Sequence, residues 1–297
     1  MYNPVAGPKS AQPHAERLAR LLTESGYQAE LYSNPDDAAA QANIWHAAGR
    51  LRALVGVGGD GTAADLLNRA AEGVPLSFLA AGNSNLLARY FRLSEDPTWI
   101  ARTLADGLAV RVDAGEADGR LFAIMFSCGF DAEVVRRVHQ HRRGHISLLS
   151  YVQPILETIG DYEFPELHVS LEEGEGPPTS LAVRWLFVFN LPCYGGGFRL
   201  APQATGADGY LDLCGLRRGH VVPSLWYLMN VICGRHQSLR DCTVRRVRRL
   251  RITADAAVPY QLDGDPAGCL PVDIRILPGR LTLVVPREAV GKSLSRV

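Results

Sequence analysis

A chain of 297 residues, 47% of them hydrophobic, is long enough to bury a sizeable core and to divide into two domains. Its 31 basic residues balance 31 acidic ones, so no global field points to nucleic acid or to an acidic partner. Only Lys9 and Lys292 are lysines, which excludes a P-loop with its lysine in the interior of the chain.

The opening MYNPVAG has no basic segment followed by an apolar one, so it does not read as a secretory leader. AERLARLLTESG then reads as an amphipathic helix closed by Gly26, AELYS as a short strand, ALVGVG as a buried strand, TAADLLNRAAEG as a helix and PLSFLA as a further strand. That alternation predicts a parallel sheet covered by helices over residues 1–111. After VRVDAGEADGR the texture changes to strands separated by Gly/Pro turns: ELHVSLEE, LAVRWLFVFN, GYLDLCGL, TVRRVRRLRITA and a hairpin in VDIRILPGRLTLVVP. Helical stretches near Ala132 to Gln140 and Leu148 to Ile159 interrupt them, and EEGEGPPTS reads as a turn. Residues 112–286 thus form a mainly antiparallel β domain, and residues 287–297 a tail open to returning to the first domain. The longest apolar run, Val221 to Cys233, contains Pro and Asn and is too short to span a bilayer. The expected location is cytoplasmic, at most peripheral to a membrane. Cys128, Cys193, Cys214, Cys233, Cys242 and Cys269 show no CxxC pair or metal-ligand spacing and read as reduced, mostly buried thiols.

The stretch LVGVGGDGTAADLLN carries the strongest local signal. A strand ending in Gly58-Gly59 and a helix starting near Thr62 would bring unpaired backbone N–H groups and the positive end of a helix dipole to one point. Glycines let the backbone approach an anion closely, and a carboxylate at Asp60 beside a phosphate calls for a divalent cation or a donor between them. An ordinary βα turn with Thr62 as an N-cap remains the alternative. NPVAG, from Asn3 to Gly7, and LAAGNSNLLARYFRL, from Leu79 to Leu93, would place two more turns at the carboxyl edge of the same sheet, where open α/β sheets bind ligands.

Together these segments resemble the diacylglycerol kinase catalytic family of lipid kinases, whose pattern is NPxxG, then GGDGT with a helix, then a GTxN turn. The resemblance continues through SCGFDAEVV, FNLPCYGGGFRLAPQATGADGYLDL and YQLDGDPAG, and so covers nearly the whole chain. It implies an α/β nucleotide domain and a β-sandwich-like second domain, as in NAD kinases and diacylglycerol kinases, with ATP in the cleft between them. It also implies Mg²⁺-dependent transfer of the ATP γ-phosphoryl group to a lipid hydroxyl at a membrane surface. Asn3, Pro4, Gly7 and Gly58, Gly59, Asp60, Gly61 and Thr62 would then hold the phosphates, with Gly82, Asn83 and Asn85 completing the nucleotide pocket. Asp60 would act through the metal. Asp263 or Asp265 would take the proton of the hydroxyl, and Asp208 matches a position that binds structural Mg²⁺ in some bacterial members. Nucleic acid is not an expected partner, and a homodimer is left open.

The chain departs from the family pattern in four places. Asn83 stands for the Thr of GTxN, Asp65 for the late Glu after GGDGT, and Asp265 for the Glu of DGE. Only Met1 and Tyr2 precede Asn3, which implies either a start upstream or a sheet short of most of its first strand. A nucleotide-binding family member without kinase activity and an NAD kinase-like enzyme are the alternative readings. The cluster His139, His141 and His145 with Arg137, Arg142 and Arg143 reads as a solvated basic loop. RRVRRLRI, Arg245 to Ile252, reads equally as a lipid-attracting strand and as a charge-protected edge. Trp226 and Tyr227 read either as side chains inserting at an interface or as core residues, and the core is the expected place.

Overall fold

The computed structural model describes residues 1–4, 10–140, 151–172, 177–290 and 295–296. Two units emerge from its internal contacts: Met1–Asp113 with Pro278–Val297, and Ala114–Leu277.

In the first unit, α1 (Gln12–Glu24) buries Ala15 and Leu18 and ends before Gly26, whose φ of 86° is open to glycine at no steric cost. The next helix, α2 (Pro35–Ala47), is not announced by apolar periodicity, because the residues it buries are Ala38, Ala39 and Ala42. It is marked instead by its start: Asn34 Oδ1 accepts the Asp36 N–H at 2.8 Å, and Pro35 fits the first turn, where an N–H has no helical partner. β1 (Leu54–Gly58), α3 (Asp60–Arg69) and β2 (Pro75–Ala80) follow, and β1 pairs with β2 in parallel, Leu54 against Leu76 through Gly58 against Ala80. α4 (Leu86–Tyr90) and α5 (Pro97–Asp106, capped by Asp96) lead to β3 (Leu108–Ala117). The strand expected at AELYS does not form. Tyr32 O accepts the Tyr2 N–H at 2.8 Å, but Met1–Asn3 gives its ladder to β1, with Tyr2 bridged in parallel to Val57, so the segment finds no row of partners.

The second unit is an antiparallel β-sandwich. β4 (Arg120–Phe122) closes a hairpin with the end of β3 through Asp118 and Gly119, both at positive φ, as a two-residue turn requires. β5 (Met125–Gly129), α6 (Phe130–Gln140), α7 (Val152–Asp161), β6 (Leu167–Glu172), β7 (Thr179–Val183), β8 (Trp185–Phe189), β9 (Leu211–Leu216) and α8 (Val221–Ile232) come next. β10 (Cys242–Val247), β11 (Arg249–Thr253), β12 (Pro259–Leu262), β13 (Asp265–Cys269) and β14 (Val272–Val285) follow, and Ser295–Arg296, β15, pairs with β3 in the first unit. One sheet has the order β10-β9-β8-β5-β12-β13; in the other, the start of β14 pairs β11, which pairs β6, which pairs β7. The alternating burial of β6 sends Leu167, Val169 and Leu171 inward, where they meet Phe122, Phe126, Leu186 and Leu213 in one core cluster.

Three strand expectations change. LAVRWLFVFN is two strands: β7 belongs to one sheet and β8 to the other, with the break at Arg184, whose N–H is donated to Leu216 O at 2.8 Å. TVRRVRRLRITA breaks likewise at Arg248, which donates to Glu172 O at 2.9 Å, and β10 and β11 lie in different sheets. A strand that switches sheets keeps its alternating pattern through the corner, so sequence periodicity reads straight across it. VDIRILPGRLTLVVP is one long strand, β14, without a hairpin. At its bend Gly279 N donates to Asp113 Oδ1 (2.7 Å) and Gly279 O accepts from Arg111 Nη1 (3.0 Å), so β3 side chains satisfy the backbone and no turn is needed. Among the described residues no helix is long and apolar enough to cross a membrane. The cysteines are free, but Cys233 and Cys269 are exposed, against the expectation of mostly buried thiols.

Candidate active site

In the first unit β1 ends at Gly58 and α3 begins at Asp60, with Gly59 in extended conformation between them. The turn after β2 lies against this one: Ala81 N donates to Gly58 O at 2.9 Å. A Cβ at Gly82 would stand 2.5 Å from Gly59 Cα and 2.9 Å from Asn85 Oδ1, so the two backbones approach as only glycine permits. Asn85, left-handed at φ 48°, ties the second turn to itself: its Oδ1 accepts from Gly82 N (3.0 Å) and its Nδ2 donates to Gly82 O (2.7 Å). Asn3 Nδ2 reaches Thr62 Oγ1 at 3.4 Å. The fold therefore gathers Asn3, Gly58, Gly59, Asp60, Gly61, Thr62, Gly82 and Asn85 at one strand edge. Pro4 and Asn83 are exposed, and Gly7 lies outside the described residues.

Asp60 has a task the sequence does not suggest. Its Oδ1 accepts the Leu87 N–H at 3.1 Å, so the carboxylate sits at the start of α4 and satisfies its orphan donors. Burial pushes its carboxyl up, while the N–H groups of Leu86 and Leu87, the Arg89 charge and the Asn85 N–H pull it down. Asp65 pairs with Arg69 at 2.8 Å along α3.

The second unit carries a separate constellation. β12 and β13 are joined by Asp263 and Gly264, with φ of 51° and 91°. Asp263 Oδ2 accepts from Ala123 N (2.7 Å) and Oδ1 from Ile124 N and Met125 N (2.9 Å each), so this carboxylate clamps the entrance to β5. Asp265 lies on the β13 side, 3.8 Å from His139 Nε2; the same nitrogen stands 3.1 Å from Gly264 O, where an Nε2–H donates to the turn. His139 is thus part of this site, while His141, His145, Arg142 and Arg143 lie outside the described residues.

Behind the turn runs a polar chain that the sequence reading missed. Gln261 Oε1 accepts from Gly264 N (2.7 Å), and its Nε2 donates to Ser127 Oγ (2.8 Å); Ser127 Oγ donates to Asp131 Oδ2 (2.5 Å), and Tyr194 OH to Asp131 Oδ1. Burial pushes the Asp131 carboxyl up against the pull of hydrogen bonds from Ser127, Tyr194 and Gln261, and burial with the Asp131 charge pushes the Tyr194 phenol well up. The available signal was a polar residue within a wholly apolar strand: Ser127 in MFSCG and Gln261 in PYQL are both buried.

Asp208 is engaged by donors of the protein itself. Its Oδ1 accepts from Tyr210 N (3.1 Å) and its Oδ2 from Arg246 Nη2 (2.5 Å), so a cation there would have to displace a guanidinium. Among the described residues no group of three His, Cys, Asp or Glu side chains could hold a metal ion. Nearby Asp212 is buried, and burial lifts its carboxyl to about 6; the Gln203 hydrogen bond opposes this, the Asp208 charge adds to it and Arg246 opposes it. The folded state therefore holds this proton more tightly than an unfolded carboxyl of about 3.9. Its contribution to stability is fully present below about pH 4 and is lost as the pH rises through about 6. Relative to Asp212→Asn, the parent is expected to lose about 1–3 kcal/mol of stability between pH 4 and pH 8 in urea unfolding. A pH-independent difference would contradict this assignment.

The arginines of RRVRRLRI are largely occupied. Arg246 binds Asp208, Arg246 and Arg248 lie over the Tyr210 ring at 4.4 and 4.9 Å, and Arg251 binds Asp273 at 2.6 Å. β10 is an edge strand, which fits the charge-protected reading for Arg245 and Arg246, whereas β11, with Arg249 and Arg251, is paired on both sides.

An α/β unit with glycine turns at the end of its parallel strands, on one chain with an antiparallel β-sandwich, defines the class of fold shared by NAD kinases and diacylglycerol kinases. Residues 1–117 match the diacylglycerol kinase catalytic domain, and residues 124–285 match the YegS C-terminal NAD kinase beta sandwich-like domain. The chain belongs to the diacylglycerol kinase and YegS-like family of lipid kinases. It is 24% identical over 294 residues to a diacylglycerol kinase of Bacillus subtilis, covering 97% of this chain and 96% of the relative. It is 27% identical over 244 residues to one of Mycobacterium tuberculosis, covering 80% and 77%. A crystal structure of a diacylglycerol kinase from Bacillus anthracis superimposes with a TM-score of 0.73 at 18% identity, over 97% of this chain and 96% of that one. An NAD kinase from Archaeoglobus fulgidus in complex with ATP gives 0.55 at 13% identity, over 97% and 95%. These two structural likenesses bear on the fold.

Proposed function

We propose that the protein is an ATP-dependent kinase that transfers the γ-phosphoryl group to a lipid hydroxyl such as that of diacylglycerol. The observation that carries the reading is the backbone approach of Gly59 and Gly82 at the start of α3. There the first N–H groups of a ten-residue helix lack helical acceptors, and the helix dipole favours an anion. With the Asp60 carboxylate turned to the donors of α4, its charge opposes a phosphate less. In the second unit the turn of Asp263 and Asp265 offers a base. The hydroxyl gives its proton to a carboxylate, its oxygen forms the bond to the γ-phosphorus, and the bond from that phosphorus to the β–γ bridging oxygen breaks, releasing ADP. Magnesium enters as part of the ATP co-substrate.

Support for the lipid acceptor comes from the relatives, which are named diacylglycerol kinases and a probable YegS-like lipid kinase. The test is radiolabelled ATP with a panel of lipid alcohols in mixed micelles, beside calorimetry with ATP alone. Label in a lipid product and ATP binding are expected. ATP binding without label in any lipid would leave a nucleotide-binding family member and remove the kinase reading.

A further inference from the structure

α8 is inside out. The residues it buries are Ser224, Tyr227 and Asn230, all polar, and Tyr227 OH is satisfied by donating to Asp241 Oδ2 at 2.7 Å and accepting from Arg218 N at 3.1 Å. The side chains it turns outward are apolar: Val222 is 77% exposed, Trp226 and Ile232 59%, Met229 56% and Leu225 44%. A surface helix of a globular domain ordinarily has the opposite arrangement. α7, which packs against α8, adds Val152 and Leu156. Among the described residues, eight of the ten large apolar side chains that stand exposed are on these two helices, so this is a patch and not scatter.

We infer that the outward face of α8 docks onto the surface of a phospholipid bilayer carrying anionic headgroups; this rests on the lipid kinase reading for its purpose. No charged residue occurs between Val221 and Ile232, whereas exposed arginines stand at both ends, Arg217 and Arg218 before the helix, the latter paired with Asp241 at 3.1 Å, and Arg235 and Arg240 after it. An apolar stripe with cationic ends matches acyl chains below and anionic phosphates at the rim, and Trp226 is the residue type suited to that boundary. Charge also argues against a second copy. A two-fold contact sets the same patch against itself, and with both ends basic it would bring arginines onto arginines in either direction. Twelve residues rise about 18 Å, less than a bilayer's hydrocarbon thickness, so the helix lies on the membrane and does not cross it.

The experiment measures partition onto vesicles of phosphatidylcholine with and without phosphatidylglycerol, with neither ATP nor diacylglycerol present. The parent is expected to bind the anionic vesicles, with a blue shift of tryptophan emission. Trp226→Ser with Met229→Ser is expected to weaken binding about tenfold or more, with unchanged melting temperature because both side chains are exposed. Arg217→Ser with Arg235→Ser should remove most of the preference for anionic over neutral vesicles. Equal partition of the parent and the Trp226/Met229 variant would overturn the inference. So would absence of vesicle binding in the parent, together with a shift from dimer to monomer in the variant, which would give the face to a second copy. Turnover on detergent-dispersed diacylglycerol separates the two readings. A parent that binds vesicles but phosphorylates no lipid loses the kinase assignment alone, and one that phosphorylates dispersed lipid but ignores vesicles loses the docking face alone.

Discussion

Asp265→Asn is expected to lower phosphoryl transfer by about 100- to 10,000-fold, the range for removal of a general base, and to leave ATP affinity and melting temperature near those of the parent. Asp265 is half-exposed and meets His139 at 3.8 Å, so the amide replaces it without disturbing a network. Asp263→Asn should behave differently. Its carboxylate accepts three backbone N–H groups at the entrance to β5, and an amide would turn a donor toward donors. A loss of at least about 2 kcal/mol of stability is expected together with the loss of rate. Rates with saturating ATP, read beside urea unfolding of each variant, distinguish the two roles. If Asp265→Asn keeps parental turnover and Asp263→Asn, still folded, does not, the base is Asp263; if both keep it, neither carboxylate is the base.

Gly82→Ala is expected to weaken ATP binding by more than tenfold and to destabilise the protein by about 1–3 kcal/mol, the range for overpacking a tight contact. The added Cβ would meet Gly59 Cα at 2.5 Å; that atom is backbone and the Cβ is fixed by its own Cα, so neither can rotate away. Separation of the two turns would also disturb the pair of hydrogen bonds between Asn85 and Gly82. Gly160→Ala, where a Cβ meets nothing within 4 Å, is the matched control and should leave affinity unchanged. Calorimetry with ATP checks both. Unchanged affinity in a folded Gly82→Ala variant would show that phosphate does not bind at this approach.

Much of the site was legible because glycines and carboxylates at turns are local signals. The βα turn at Gly58 to Thr62 stands where its motif puts it, since the flanking strand, ALVGVG, is a short apolar run, and Asp263 to Asp265 form the turn between β12 and β13. The tasks of the carboxylates were not legible. Asp60 is occupied by α4, 27 residues away, and Asp263 by backbone 138 to 140 residues away, so no window of sequence holds both partners. Trp226 and Tyr227 show the same limit on a smaller scale. Both are amphipathic aromatics expected in the core, yet neighbours on one helix face opposite ways, because Asp241 and the Arg218 N–H draw the tyrosine inward.

The sequence by itself determined the kind of each half. Alternating helical and strand periods require a covered parallel sheet, and short strands with Gly/Pro turns require an antiparallel one, because each pattern can bury its apolar face in only one of these ways. The tertiary structure alone decided which sheet each strand joins, as at Arg184 and Arg248, where one continuous alternation is divided between two sheets. It alone brought Ser127, Asp131, Tyr194 and Gln261 into one buried chain, and it alone left the apolar side of α8 outside. Periodicity specifies that a face is apolar; which face is covered depends on long-range partners whose hydrogen bonds and packing exist only once the chain has folded.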